Sequence, residues 1–291
     1  MENLRSLRAK SAQKTLISFE LFPPKTPEGL QKLHHTVDDL MAVTPDYFSV
    51  TYGAGGSTRT LTADLVIALH KRLQIPIVPH LTCVNSTREE CRQLLELYKE
   101  NGIQNVLALR GDPPQNTTGQ TFTGEFRYAN ELVRFVRETL PEFEIGVAGF
   151  PEGHPETPNR LKEMAFLKQK IDDGADYICT QLFFDVSDFL DFQARCRLEG
   201  IRIPIFAGVL PITSKASLTR MAELSGGSRF PAPLLKQIYD ANSDEEVEQI
   251  GIDWATRQIN DLIRNDVAGI HIYTLNQSKA PLAIVRNLNL G

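Results

Sequence analysis

Eight short runs rich in β-branched and aromatic residues recur along the chain: Thr15–Leu21, Tyr47–Tyr52, Ile75–Cys83, Asn105–Gly111, Glu144–Phe150, Asp176–Phe184, Ile203–Leu210 and Gly269–Leu275. Most are apolar at successive positions instead of alternating, which is the pattern of parallel strands covered on both faces. Helical patterns separate them, so the chain reads as strand then helix, eight times. Right-handed crossovers then leave two architectures, an open doubly wound sheet or a closed barrel. With no composition break or linker between units, closure is favoured: a single (β/α)8 TIM barrel with extra helices before the last strand. A length of 291 residues agrees, because α/β barrels reach about 250 residues as one domain. Residues 1–14, with Arg5, Arg8, Lys10 and Lys14 against Glu2, read as a flexible N-terminal tail, and 15–291 as the barrel.

The helices carry their own punctuation. Leu61, Leu65, Ala68, Leu69 and Leu73 form one apolar stripe, and Leu161, Met164, Ala165 and Ile171 another. Thr26-Pro27, Ser57-Thr58, Ser86-Thr87 and Thr157-Pro158 supply start signals, and Gly102, Gly174 and Gly200 supply stops. The stretch from Ser225 to Asn242 inserts an extra helix, and Asp244–Asn265 reads as one long helix.

Charge excludes whole classes of partner. Basic residues number 31 and acidic 36, a net charge of −5 without any basic stripe, so nucleic acid has no electrostatic footprint. The longest nearly pure apolar stretch, Ile203–Ile212, is interrupted by Pro204, Gly208 and Pro211 and falls short of the roughly 18 residues a membrane span needs. Cys83, Cys91, Cys179 and Cys196 show no CxxC pair and no zinc-like grouping with histidine. A reduced, cytoplasmic setting and no metal are therefore expected.

In a barrel of this kind the chemistry sits at the C-terminal ends of the strands. There the sequence places Glu20, Thr51-Tyr52 before Gly53–Gly56, His80, Arg110-Gly111-Asp112, Phe150 with Glu152 and His154, Gln181, Gly208 and Tyr273-Thr274. Each has a plain structural alternative. Glu20 suits an ion pair with Arg110, His80 and His271 suit satisfied core histidines, and Glu163 with Lys170, seven apart, suit a solvated helix face. Coincidence favours function, since stability alone gives no reason to put five different ionisable or amide groups on separate strands of one rim. Arg110 offers a fixed fork for phosphate or a carbonyl edge, and Gly111 lets a backbone N–H approach a flat ring.

The segments Phe19–Lys25, Ser49–Ala54, Pro79–Cys83, Ala108–Asp112, Pro151–Glu156, Thr180–Asp185 and Tyr273–Asn276 together resemble, in order, the motif series of the methylenetetrahydrofolate reductase family in its short bacterial form. The resemblance covers about residues 15 to 288. It implies non-covalent FAD at the barrel mouth, reduced by NADH or NADPH and reoxidised by 5,10-methylenetetrahydrofolate in a ping-pong cycle that yields 5-methyltetrahydrofolate for methionine synthesis. It implies Glu20 as the acid serving folate N10, and Asp112 as a carboxylate beside flavin and pterin. FAD contacts would come from Thr51, Tyr52, Ala54, His80, Arg110, Gly111, Asp112, Tyr128, Ala129, Phe150, His154, Glu163 and Lys170. Gln181, Met221 and Gln277 would meet the substrate, and a homo-oligomer is expected.

Four of these positions depart from the family pattern. Phe150 stands where some members carry tyrosine, which keeps a stacking ring and loses a hydroxyl donor. Glu163 replaces an aspartate, Met221 a phenylalanine, and Gln277 an arginine that meets the glutamate tail. Two other classes remain open on the residues alone: an electron-passing flavoprotein subunit with a non-nicotinamide donor, and a non-redox barrel lyase using Glu20 and His80.

Overall fold

A computed structural model describes residues 14–52, 59–111, 124–225 and 227–288. Its strands are β1 (Leu16–Leu21), β2 (Tyr47–Val50), β3 (Ile77–Thr82), β4 (Asn105–Leu109), β5 (Glu144–Gly149), β6 (Tyr177–Thr180), β7 (Ile205–Val209) and β8 (Gly269–Tyr273). All pair in parallel with their sequence neighbours, and β8 closes on β1, giving the eight-stranded barrel. The helices are α1 (Pro27–Met41), α2 (Arg59–Leu73), α3 (Arg88–Glu100), α4 (Ala129–Thr139), α5 (Arg160–Asp172), α6 (Val186–Leu198), α7 (Lys215–Leu224), α8 (Ala232–Asp240), α9 (Asp244–Arg264) and α10 (Lys279–Arg286). α8 is the inserted helix and α9 the long one before β8.

The strands are shorter than the apolar runs. Thr51, Tyr52, Arg110, Gly111, Phe150 and Gln181 lie just beyond the last ladder residues, where the backbone leaves the sheet and side chains can face the mouth. Helix starts follow local chemistry. Thr26 caps α1 through Gly29 N with Pro27 in the first turn, and Thr87 and Glu90 form a reciprocal capping box on α3. Asn159 caps α5, accepting from Leu161 N and Lys162 N. The Thr157-Pro158 signal is therefore displaced by two residues. Ser57-Thr58 and residues 1–13 lie outside the described residues.

Both apolar stripes need correction. Leu61 is 54% exposed and Ala68 is also exposed, while α2 buries Thr62, Ala63, Leu65, Val66, Leu69 and His70. On α5, Leu161 is 78% exposed and Ala165 exposed, whereas Glu163, Met164 and Leu167 are buried. A barrel helix packs on two strands and two neighbouring helices, so its buried face is wider than one stripe and rotated from it.

Two layers of core result. The larger lies between strands and helices, and includes Phe19, Phe48, Leu81, Val106, Val147, Phe183 and Ile272. The second fills the barrel with Leu16, Tyr47, Val78, Leu107, Tyr177, Cys179 and Phe206. Burial holds the Tyr47 and Tyr177 phenols well above their ordinary range, so this floor is uncharged. A third cluster, with Leu182, Phe184, Leu210, Met221, Leu234 and Val247, covers the side where the extra helix enters. The four cysteines are free and buried, and among the described residues no helix is long and apolar enough to cross a membrane.

Candidate active site at the barrel mouth

Above the aromatic floor the interior becomes polar. Glu20, next to last in β1, lies opposite Ser49 of β2 and Tyr273 of β8 in register. Its backbone carbonyl accepts from Thr274 Oγ1 at 2.6 Å, and its side chain is 21% exposed, open to the mouth. Glu20 Oε2 stands 3.5 Å from His80 Nε2 and 3.8 Å from His271 Nε2.

The two imidazoles differ. His271 is enclosed, with Nδ1 2.8 Å from Ser18 Oγ and Nε2 3.2 Å from Ser49 Oγ. Ser18 Oγ also reaches Ile270 O at 3.2 Å, and a serine hydroxyl stands at each ring nitrogen of His271. Tyr47 stacks on the ring and Tyr273 meets it edge-on. His80, by contrast, has no hydrogen-bond partner at Nε2 among the described residues. Burial pushes its pKa down to about 4, against the opposing pull of Glu20. Glu20 thus faces an imidazole that burial keeps neutral at neutral pH, and His80 is buried but not a satisfied core histidine.

Nor does Glu20 pair with Arg110. Arg110 grips Glu156 with both terminal guanidinium nitrogens, at 2.5 and 2.9 Å, and this bond holds the Glu156 carboxyl below its ordinary range. Glu156 N donates to His154 Nδ1, and the His154 ring stands edge-on to Phe150 at 4.6 Å. Gly111 follows at φ +81°, and a Cβ there would lie 3.1 Å from Thr82 Cβ and Val84 Cγ2. Asp112 and Ala54 lie outside the described residues.

The face of α5 bearing Glu163 and Lys170 is not a solvated one. Lys170 Nζ donates to Ala148 O at 3.0 Å, and burial pushes its pKa down to about 8 while Glu163 opposes. The Glu163 side chain is only 9% exposed, and burial raises its carboxyl while Arg160, Arg195 and Lys170 pull it back.

The remaining expected residues occupy the same end of the barrel in different settings. Thr51 N donates to Leu21 O, and Tyr52 packs half-buried on the main core. Tyr128 is the exposed N-cap residue of α4, under the Arg127 guanidinium, with Ala129 buried beside it. Gln181 accepts from Leu182 N with its own Oε1 and lines a cleft with Phe150, Glu152, Gly153 and Ser228. Met221 is enclosed in the third cluster, and Gln277 is exposed in the turn between β8 and α10. Sequence reasoning missed the Arg110–Glu156 grip, the approach of His271 to Glu20, and the hydrogen bond from the Tyr273 hydroxyl to Thr180 O at 2.7 Å. It also missed Arg229, which binds Asp185 and Asp188 and donates its backbone N–H to Glu152. Arg110, Glu156 and Tyr273 lie within the seven motifs and His271 two residues before the last, whereas no sequence signal marked Arg229. Among the described residues no cluster of His, Cys, Asp and Glu could hold a metal ion.

Residues 5–289 match the family model described as methylenetetrahydrofolate reductase. Methylenetetrahydrofolate reductase (NADH) 1 of Arabidopsis thaliana is 40% identical over 95% of this chain and 48% of its own length. The chain thus spans about half the length of its plant relatives. The 5,10-methylenetetrahydrofolate reductase of Escherichia coli K12 is 34% identical over 94% of this chain and 90% of its own length. Among solved structures, a Clostridium thermocellum protein that binds two copies of 5-methyl-5,6,7,8-tetrahydrofolic acid superposes with TM-score 0.66. That match covers 97% of this chain and 96% of the other at 15% identity, a likeness of fold. A 2,3-dimethylmalate lyase superposes with TM-score 0.50 at 11% identity, over 98% of this chain and 83% of that one.

Proposed function

The chain belongs to the methylenetetrahydrofolate reductase family, and we propose that it reduces 5,10-methylenetetrahydrofolate to 5-methyltetrahydrofolate, using FAD and a reduced nicotinamide. The names of the plant relatives support NADH as the donor, and the folate ligand of the Clostridium neighbour supports a folate substrate. The residues present fit a bound flavin. Gly111 leaves its backbone open where a Cβ would crowd Thr82 and Val84, and His80 Nε2 and Glu163 Oε2 are buried without hydrogen-bond partners among the described residues. Bound FAD would accept a hydride from the nicotinamide and pass it to the folate.

The protein's own part is to bind, orient and supply a proton. Glu20 is the group we assign to hold that proton at Oε2 and deliver it toward N10, so that the five-membered ring opens. This assignment rests on the setting of Glu20, which is open to the mouth, faces a neutral His80, and leaves Arg110 bound to Glu156. No guanidinium then pins Glu20 in its charged form. Gln181 would turn from Leu182 N to meet the pterin edge, and Asp112 would place a negative charge near the same ring. Arg110, His154, Glu156 and Phe150, already linked to one another, form the wall that would hold the flavin. Steady-state kinetics test the cycle. Parallel double-reciprocal lines for NADH against the folate are expected, and intersecting lines would contradict a shared site.

A further inference from the structure

The turn after β5 and the first residue of α5 are fitted to each other. Gly153 has φ +92°, a conformation that L side chains rarely adopt, and a Cβ built on it would lie 0.7 Å from Arg160 Nη1. The Arg160 guanidinium therefore occupies the space a side chain at 153 would take. The seat is firm, because Gly153 N donates to Phe150 O at 3.0 Å and Arg195 Nη2 donates to Pro151 O at 2.9 Å.

Arg160 pairs with Glu163 through one guanidinium nitrogen and lowers that carboxyl, which leaves other N–H groups of its five-donor fork for a ligand. Glu163, the one carboxylate within ion-pair range among the described residues, stands 3.6 Å away, beyond hydrogen-bond length. Glu163 Oε2 itself is buried and without a hydrogen-bond partner among the described residues. Arg160, Arg195 and Lys170 all act on that carboxylate, and Arg195 is also bound to Asp191 at 2.7 Å. The N-terminal N–H groups of α5 do not supply the donor that Glu163 Oε2 lacks, since Leu161 N and Lys162 N already donate to Asn159. What remains at this corner of the mouth is a half-exposed planar fork of donors beside a buried acceptor suited to a hydroxyl. Phosphate oxygens match the first and ribose hydroxyls the second.

We propose that Arg160, seated on Gly153, binds the diphosphate of the flavin dinucleotide in this chain. The inference rests on the flavin reading above, and deepens it by assigning a phosphate ligand outside the seven motifs. A guanidinium that only offset Glu163 would leave flavin affinity unchanged.

Fluorescence titration of the full-length apoprotein with FAD and with riboflavin, which lacks phosphate, tests this directly. Arg160→Ala is expected to weaken FAD about tenfold, leave riboflavin within about twofold, and show a smaller difference at high salt. Arg160→Lys should recover part of the loss. Gly153→Ala, which displaces the guanidinium, should weaken FAD in the same direction, and adding Arg160→Ala to it should change little further. FAD affinity unchanged in Arg160→Ala, or equal losses for FAD and riboflavin, would overturn the inference alone. A wild-type chain that binds riboflavin but gains nothing from the diphosphate would do the same. A wild-type chain that binds neither flavin would overturn the functional reading and this inference with it.

Discussion

Glu20 and His80 stand 3.5 Å apart beneath the mouth. If Glu20 is the acid for the folate step, Glu20→Gln keeps the shape of the site and removes the proton. Reduction of bound flavin by NADH should be nearly unchanged, while reoxidation by methylenetetrahydrofolate slows by about 10²–10⁴-fold. Equal losses in both steps, followed separately, would reassign Glu20 to binding. His80 gives a stability prediction. Burial lowers its folded pKa to about 4, whereas the unfolded side chain titrates near about 6.5. Between those values the unfolded chain binds the extra proton, so unfolding free energy falls as pH is lowered through that window. Urea melts of the apoprotein should show wild type losing about 2 kcal/mol more than His80→Gln between pH 7 and 4.5. Identical losses would place a charged His80 in the fold. Glu20, His80, Arg110 and Gln181 were readable as rim residues because each ends or lies within an apolar run. Their partners were not. Arg110 meets Glu156 across 46 residues, a pairing set by neighbouring strands and by no local pattern.

Elements were legible where local chemistry decides them. Thr87 with Glu90 three residues on is a capping box in sequence and in structure. Thr87→Ala should cost about 1 kcal/mol, read as a lower urea midpoint with an unchanged slope. A change below about 0.3 kcal/mol would mean that tertiary packing alone holds the start of α3. The faces of α2 and α5 were less legible. Hydrophobic spacing alone selected Leu61 and Leu161, which are exposed, because it does not reveal how a helix is rotated against the barrel. The same rotation carries Glu163 inward and brings Arg160 onto Gly153. A single-helix pattern assigned that face to solvent, and only the packed turn after β5 shows otherwise.

For the whole molecule, eight repeats of strand and helix sufficed to predict closure, because successive apolar positions demand cover on both faces and parallel pairing demands crossovers. The extra helix before β8 was also visible, in the Gly- and Pro-rich stretch that precedes it. What sequence did not convey is the vertical order inside the barrel: an aromatic floor, then Ser18, Ser49 and His271, then Glu20 and His80 beneath the mouth. That order comes from register, which sets Ser18 beside His271 and Glu20 beside Tyr273. A net charge of −5 also gains meaning at this scale. An anionic chain that binds anionic ligands must concentrate cations locally, and Arg110, Arg160 and Lys170 lie at the mouth. The most direct test of the proposed activity is anaerobic stopped-flow of the FAD-loaded protein, following flavin absorbance. NADH should bleach the flavin, and 5,10-methylenetetrahydrofolate added afterwards should restore its colour with formation of 5-methyltetrahydrofolate. Flavin that NADH does not bleach, or that stays reduced in the presence of the folate, would contradict the account.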